Sequence, residues 1–150
     1  MDATLRQKIL DLLAAHRIMT VATLRPDGWP QATTVGYASE GLTLYFLCGL
    51  DSQKARNLAR DDRLSLTIDH DIPDVMRITG LSMAARAHPV LDHDEGVRIL
   101  EKLARQYADQ PAPPLQMPGP EQVRIFRVVP EVISVLDYTQ GFGHTDLVSC

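Results

Sequence analysis

Residues 42–58, LTLYFLCGLDSQKARNL, change character halfway along. Residues 42–47 are apolar, aromatic and β-branched, which predicts a strand. Gly49, Leu50 and Asp51 supply a turn, and a helix is expected to begin there, with Ser52 or Asp51 as its N-cap. Lys54, Arg56 and Arg60 populate its first turns. The leading N–H groups of a helix have no intrahelical acceptor, and the helix dipole favours negative charge at that end. Ser52 and Lys54 at such an end form a candidate anion seat, with the ammonium as a point charge suited to phosphate. The same residues also suit an ordinary surface helix, so the segment alone leaves both readings open.

Upstream, residues 18–24 and 30–38 read as two strands around Arg25-Pro26-Asp27-Gly28. Proline presets φ and glycine accepts positive φ, which makes this segment a turn and the pair hairpin-like. The second strand carries small side chains and a glycine, Thr33-Thr34-Val35-Gly36, where bulk would be expected. Glycine within a strand marks a bulge or a close approach of a ligand to the backbone. Downstream, residues 63–69 alternate Leu64, Leu66 and Ile68 with Ser65, Thr67 and Asp69, the pattern of a half-buried strand.

Taken together, TVATLRPDGWPQATTVGY…LTLYFLCGLDSQKARNLARDDRLSLTI resembles the pyridoxamine 5'-phosphate oxidase-like, FMN-binding split β-barrel family. The resemblance extends over residues 10–138. Its best motif is Ser52-Gln53-Lys54-Ala55-Arg56-Asn57-Leu58 with Asp62-Arg63-Leu64-Ser65-Leu66, which is more specific for the family than for any reaction. The resemblance implies an α+β fold, an antiparallel six- or seven-stranded split β-barrel with flanking helices, and a homodimer with flavin at the subunit interface. It also implies FMN as cofactor, with hydride passing between the flavin and a small organic substrate or a nicotinamide, NAD(P)H.

By the same resemblance, Ser52, Gln53 and Lys54 stand at the phosphate positions, Thr33, Thr34, Val35 and Gly36 along the flavin, and Leu47 and Cys48 at the end of the third strand. Gly80, Leu81 and Ser82 stand at the ring edge, reaching it from the partner subunit. The chain also departs from the family. Cys48, a weaker donor, replaces a common threonine, and Gln53 replaces a common arginine, with Arg56 placed to compensate. In the tail, true pyridoxine-phosphate oxidases carry an arginine and a histidine that grip substrate phosphate. Here Phe142 takes the arginine's place and His144 is kept, while Leu136 stands near a missing tryptophan. The expectation is a relative that does not act on vitamin B6 phosphate. His144 is the one catalytic candidate, against its alternative as a capping or packing residue; no other catalytic residue is assigned.

The bounds agree with this reading. A chain of 150 residues suits one domain: a helix at 2–16, a barrel at 17–138 and a tail at 139–150. Apolar residues make up 45% and charged residues 23%, an ordinary globular balance, and a net charge of −4 argues against nucleic acid. No stretch approaches the roughly 18 apolar residues of a membrane span, and the N-terminus lacks a signal pattern. With Cys48 and Cys150 far apart and in no metal spacing, the expected compartment is the cytoplasm.

Leu5, Ile9, Leu12 and Leu13 give the first helix its apolar face. Asp69-His70-Asp71-Ile72-Pro73-Asp74 has no partner spacing for a metal and reads as a solvated acidic loop, so no metal site is assigned. Residues 75–90 read as one long strand with Gly80 as a bulge, and residues 92–108 as a helix with acidic and basic residues placed as its dipole prefers. The proline-rich segment 109–120 is a candidate wall of the substrate site. Strands are expected at 123–129 and 132–136, broken at Pro130-Glu131. No G-x-G-x-x-G fingerprint or Ser-His-Asp pattern appears. Two alternatives differ in chemistry: a deazaflavin-dependent reductase on the same barrel, and a non-catalytic flavin- or haem-binding protein for stress response or cofactor handling. Haem would need His88, His93 or His144 as axial ligand.

Overall fold

The hairpin turn forms as its residues dictate. Gly28 takes φ 85° and its N–H donates to the Arg25 carbonyl at 2.9 Å, while Arg25 N–H donates to Trp29 at 3.0 Å. This turn joins β1 (Ile18–Leu24) to β2 (Pro30–Gly36), paired antiparallel from Ile18↔Gly36 to Leu24↔Pro30. The computed structural model describes residues 1–109 and 116–150. In chain order the remaining elements are α1 (Ala3–Ala15), β3 (Ala38–Glu40), β4 (Thr43–Gly49), α2 (Gln53–Arg60), β5 (Arg63–Ile68), β6 (Thr79–Pro89), α3 (His93–Arg105), β7 (Val123–Asp137) and β8 (Thr145–Ser149).

All strand pairs are antiparallel, in the order β2-β1-β5-β6-β7-β4-β3, with β8 branching onto β7. The two ends of that path, β2 and β3, are consecutive in sequence and separated only by Tyr37. The sheet must therefore curl until its ends meet, giving the α+β split barrel. Tyr37 is fully buried at this join, its hydroxyl donating to the Leu13 carbonyl at 2.7 Å and its N–H to the Arg17 carbonyl at 3.0 Å. Burial pushes its phenol pKa well up, which keeps the group a neutral donor.

The barrel interior holds the main core, including Met19, Val21, Phe46, Leu66, Leu81, Met83 and Ile133, with the Phe46 and Phe126 rings stacked at 5.4 Å. Helix α1 lays Ile9 and Leu13 onto it. Tyr45 and Ile125 face the other way and pack with Ile99, Leu100 and Leu103 of α3 in a second, smaller core. Asp92 caps α3, accepting from Glu95 N–H at 2.9 Å, and the helix runs from acidic to basic as its dipole favours.

Four local expectations change. Residues 123–137 form one strand rather than two: Pro130 pairs with Ala85 and Val132 with Ala84, leaving Glu131 as an extra residue in a β-bulge. A bulge tolerates proline's missing N–H, so the strand bends without ending. Gly80 is not the bulge. The strand containing it starts at Thr79, because Asp74 caps a 3-10 turn at Val75–Arg77 and accepts from Met76 N–H. The tail is not merely a tail, since β8 pairs from Val132↔Ser149 to Leu136↔Thr145. Finally, residues 38–40 form their own strand. Of the proline-rich segment 109–120, the candidate substrate wall, residues 110–115 lie outside the described residues. Among the described residues no helix is long and apolar enough to cross a membrane.

Candidate functional site

A cleft of about 400 Å³ lies where the two ends of the sheet meet. β2 lines it with Thr34, Val35 and Gly36, β4 with Leu47, Cys48 and Gly49, and the start of α2 with Ser52 and Lys54. Leu103, Tyr107 and Met117 form the opposite side. Local sequence explains each piece. The chain leaves β4 in a tight turn, with Ser52 N–H donating to the Gly49 carbonyl at 3.1 Å. Ser52 is the N-cap of α2, accepting from Ala55 N–H at 3.2 Å. That leaves the N–H groups of Gln53 and Lys54 without intrahelical acceptors at this end.

Positive charge is concentrated here. Among the described residues, no carboxylate lies within ion-pair distance of Lys54 or Arg124. Arg124 stands directly across from Cys48 in the β4–β7 register. Burial pushes the Cys48 thiol pKa up; a hydrogen bond with Ser52 and the charges of Lys54 and Arg124 pull against that rise. Half-buried Lys54, a capped helix end and a polar sulfur thus converge without an acidic counter-charge. Such an arrangement suits an anion, above all a phosphate.

The cleft gathers Thr34, Val35, Gly36, Leu47, Cys48, Ser52 and Lys54 from the sequence-derived candidates. Thr33, next in line, has its hydroxyl oxygen buried without a hydrogen-bond partner. Gln53 lies outside the cleft. Its amide donates to Asn57 Oδ1 at 2.8 Å and accepts from Arg56 at 2.9 Å, and it borders a separate hollow with Arg25, Gln31 and Arg56. Arg56, expected as its compensating charge, borders that hollow and not the cleft. The fully buried Asn57 side chain donates to Thr23 Oγ1 at 3.0 Å, tying α2 to the hairpin.

Gly80, Leu81 and Ser82 lie on β6, outside the cleft of their own chain. Gly80 and Leu81 are buried in the core, and Ser82 is half-buried, paired with Thr67 and Ser134. A side chain at Gly80 would stand 2.7 Å from the Ile68 carbonyl oxygen, so the glycine answers to packing within this chain. At Gly36 a Cβ would instead stand 3.2 Å from the Tyr107 hydroxyl, across the cleft. His144 is held by Asp146 at 3.1 Å in the turn before β8 and borders none of the described cavities.

Sequence reasoning missed Tyr107, Met117 and Arg124. Tyr107 is positioned by Arg17, whose guanidinium sits 5.8 Å from the ring centre and donates to the Gln106 carbonyl at 3.2 Å. Helical periodicity carried only the buried stripe of α3, and Arg124 is brought in by strand register alone. The phosphate end of the cleft fits a phosphate-bearing group, judged by its donors and by the lack of carboxylates among the described residues that line it. Ser52, Lys54 and the adjoining N–H groups would hold the phosphate, and the Thr34–Gly36 backbone would lie along the rest.

The sequence matches the pyridoxamine 5'-phosphate oxidase family over residues 5–137. Comparison with curated proteins gives no match. Among solved structures, a putative pyridoxamine 5'-phosphate oxidase from Listeria innocua superposes with TM-score 0.73 at 24% identity, covering 88% of this chain and 98% of that one. A conserved hypothetical protein from Mycobacterium tuberculosis gives TM-score 0.78 at 24% identity, covering 99% and 93%. The haem storage protein of Vibrio cholerae gives 0.66 at 18% identity, covering 83% and 89%. At these identities the likeness establishes a shared fold.

Proposed function

The chain belongs to the pyridoxamine 5'-phosphate oxidase family, and from that premise we propose that it is an FMN-binding oxidoreductase working as a homodimer on a small organic substrate or NAD(P)H. The observation carrying this reading is Lys54, half-buried at the capped N-terminus of α2 and without a carboxylate partner among the described residues. When bound, FMN supplies hydride-transfer chemistry. The chain's own contribution is placement: Lys54 and Ser52 fix the phosphate, the β2 backbone sets the direction of the ring, and Tyr107 and Leu103 exclude water from one side. Thr33 and Ser82 are proposed ring-side contacts, Ser82 acting from the second subunit. His144 has no assigned step, and Phe142, exposed at 76%, cannot supply the charge that a substrate phosphate requires.

Absorbance of the purified protein tests this first. Flavin bands, followed by uptake of one FMN per chain by the apo-protein, support the reading. Uptake of deazaflavin or haem in preference to FMN would overturn it while leaving the fold intact. The haem alternative draws on the solved relatives described as haem-binding and haem-storing, but among the described residues no histidine lines the cleft.

A further inference from the structure

We propose that His16 and His70 form a two-imidazole chelating site for a divalent transition-metal ion, clipping the end of α1 to the loop after β5. His16 Nε2 and His70 Nδ1 face each other at 3.1 Å, although the residues are 54 positions apart in sequence. Their rings lie 5.2 Å apart, tilted by 34°. The His16 tautomer is set by its other nitrogen: Nδ1 is 2.8 Å from the Leu12 carbonyl oxygen. A carbonyl only accepts, so Nδ1 carries the proton and Nε2 directs its lone pair at His70. Metal-ligating histidines are oriented in this way, donating the remote N–H to a carbonyl.

The surroundings favour a cation. His16 is the C-cap of α1, where the outward carbonyls carry the negative end of the dipole, and the last turn of that helix has no basic residue. His70 is flanked by Asp69 and Asp71, neither of which is in an ion pair among the described residues. Two nitrogens bound at about 2.0–2.1 Å in a tetrahedral zinc site lie roughly 3.3–3.4 Å apart. The ion therefore enters when the nitrogens separate by a few tenths of an ångström, the rings turn to converge their lone pairs, and His70 moves its proton from Nδ1 to its outer nitrogen, Nε2. No group of three or more metal-binding side chains gathers among the described residues. Water therefore fills the other positions, and imidazole pairs of this kind suit zinc, nickel and copper. The Asp-His-Asp segment had no partner visible in sequence spacing; the fold supplies one from α1.

The test is titration of the full chain, stripped with chelator, with Zn2+ alone. Calorimetry gives the stoichiometry, and long-range 1H–15N correlation of the imidazoles identifies the ligands. The expected result is one Zn2+ per chain, with shifts at His16 and His70. His70→Ala and His16→Asn should each weaken binding about tenfold or more, while His93→Ala leaves it unchanged. Absence of Zn2+ binding by the parent would overturn the proposal and leave an imidazole pair sharing one proton. Undiminished binding by His70→Ala, or shifts confined to other histidines, would overturn it equally. None of these readouts depends on FMN, so failure here is distinguishable from failure of the flavin reading.

Discussion

Lys54 concentrates the functional reading in one side chain. It shares the cleft with Ser52 and Cys48, and no carboxylate competes for it among the described residues. A charge-assisted contact to phosphate contributes roughly 1.5–3 kcal/mol, so Lys54→Ala should loosen FMN about ten- to a hundredfold. Fluorescence titration of the apo-protein measures this, and undiminished affinity would remove Lys54 as the anchor. Cys48→Thr replaces a weak donor with a stronger one beside the same charges. It should tighten FMN while leaving the far-ultraviolet circular dichroism unchanged; equal or weaker binding in a folded variant would place the phosphate away from β4.

At the scale of elements, α2 does more than present its N-terminus. Its Asn57 reaches Thr23 on β1 and receives a bond from Gln53, so the helix is anchored to the hairpin through a buried polar network. Asn57→Ala strands the Thr23 hydroxyl and should cost about 1–3 kcal/mol in denaturant unfolding. A loss below a few tenths would show the network to be dispensable. The β5–β6 contact makes a second demand. Gly80→Ala places a methyl 2.7 Å from the Ile68 carbonyl and should destabilise by about 1–3 kcal/mol through a backbone shift. If Gly80→Ala keeps full stability but loses FMN, the glycine serves the ligand instead. In the sequence both glycines, Gly36 and Gly80, carried the same signal. Only the facing atoms separate them: a tyrosine hydroxyl across a cleft in one case and a neighbouring strand's carbonyl in the other.

At the scale of the molecule, α1 is locked to the far end of the barrel by the Lys8–Asp137 ion pair. The Lys8 ammonium, followed by hydrogen bonds from Thr139 and Gln140, holds the Asp137 carboxyl well below the usual carboxylate range. A carboxyl whose folded pKa is depressed stabilises the fold at pH values above its unfolded pKa, near 4, and loses that contribution as pH falls toward the folded value. Asp137→Asn should therefore unfold at lower temperature at neutral pH and show a shallower decline below about pH 4. Parallel melting-temperature profiles of parent and variant across the acid range would exclude this lock.

The sequence by itself determined the period of the strands, the Pro-Asp-Gly turn and the start of α2, with Ser52 as its cap and Lys54 in its first turn. These depend on interactions within a few positions of one another, where side-chain alternation, φ preferences and capping are local. Only the tertiary structure decided that Pro130-Glu131 bends a strand without breaking it, that residues 145–149 extend the sheet, and that Arg124, Tyr107 and Met117 join the site or its edge. It also separated Gln53 from the cleft and brought His16 to His70. Each of these rests on register or on the curl that brings β2 beside β4, contacts between distant residues that no local periodicity encodes.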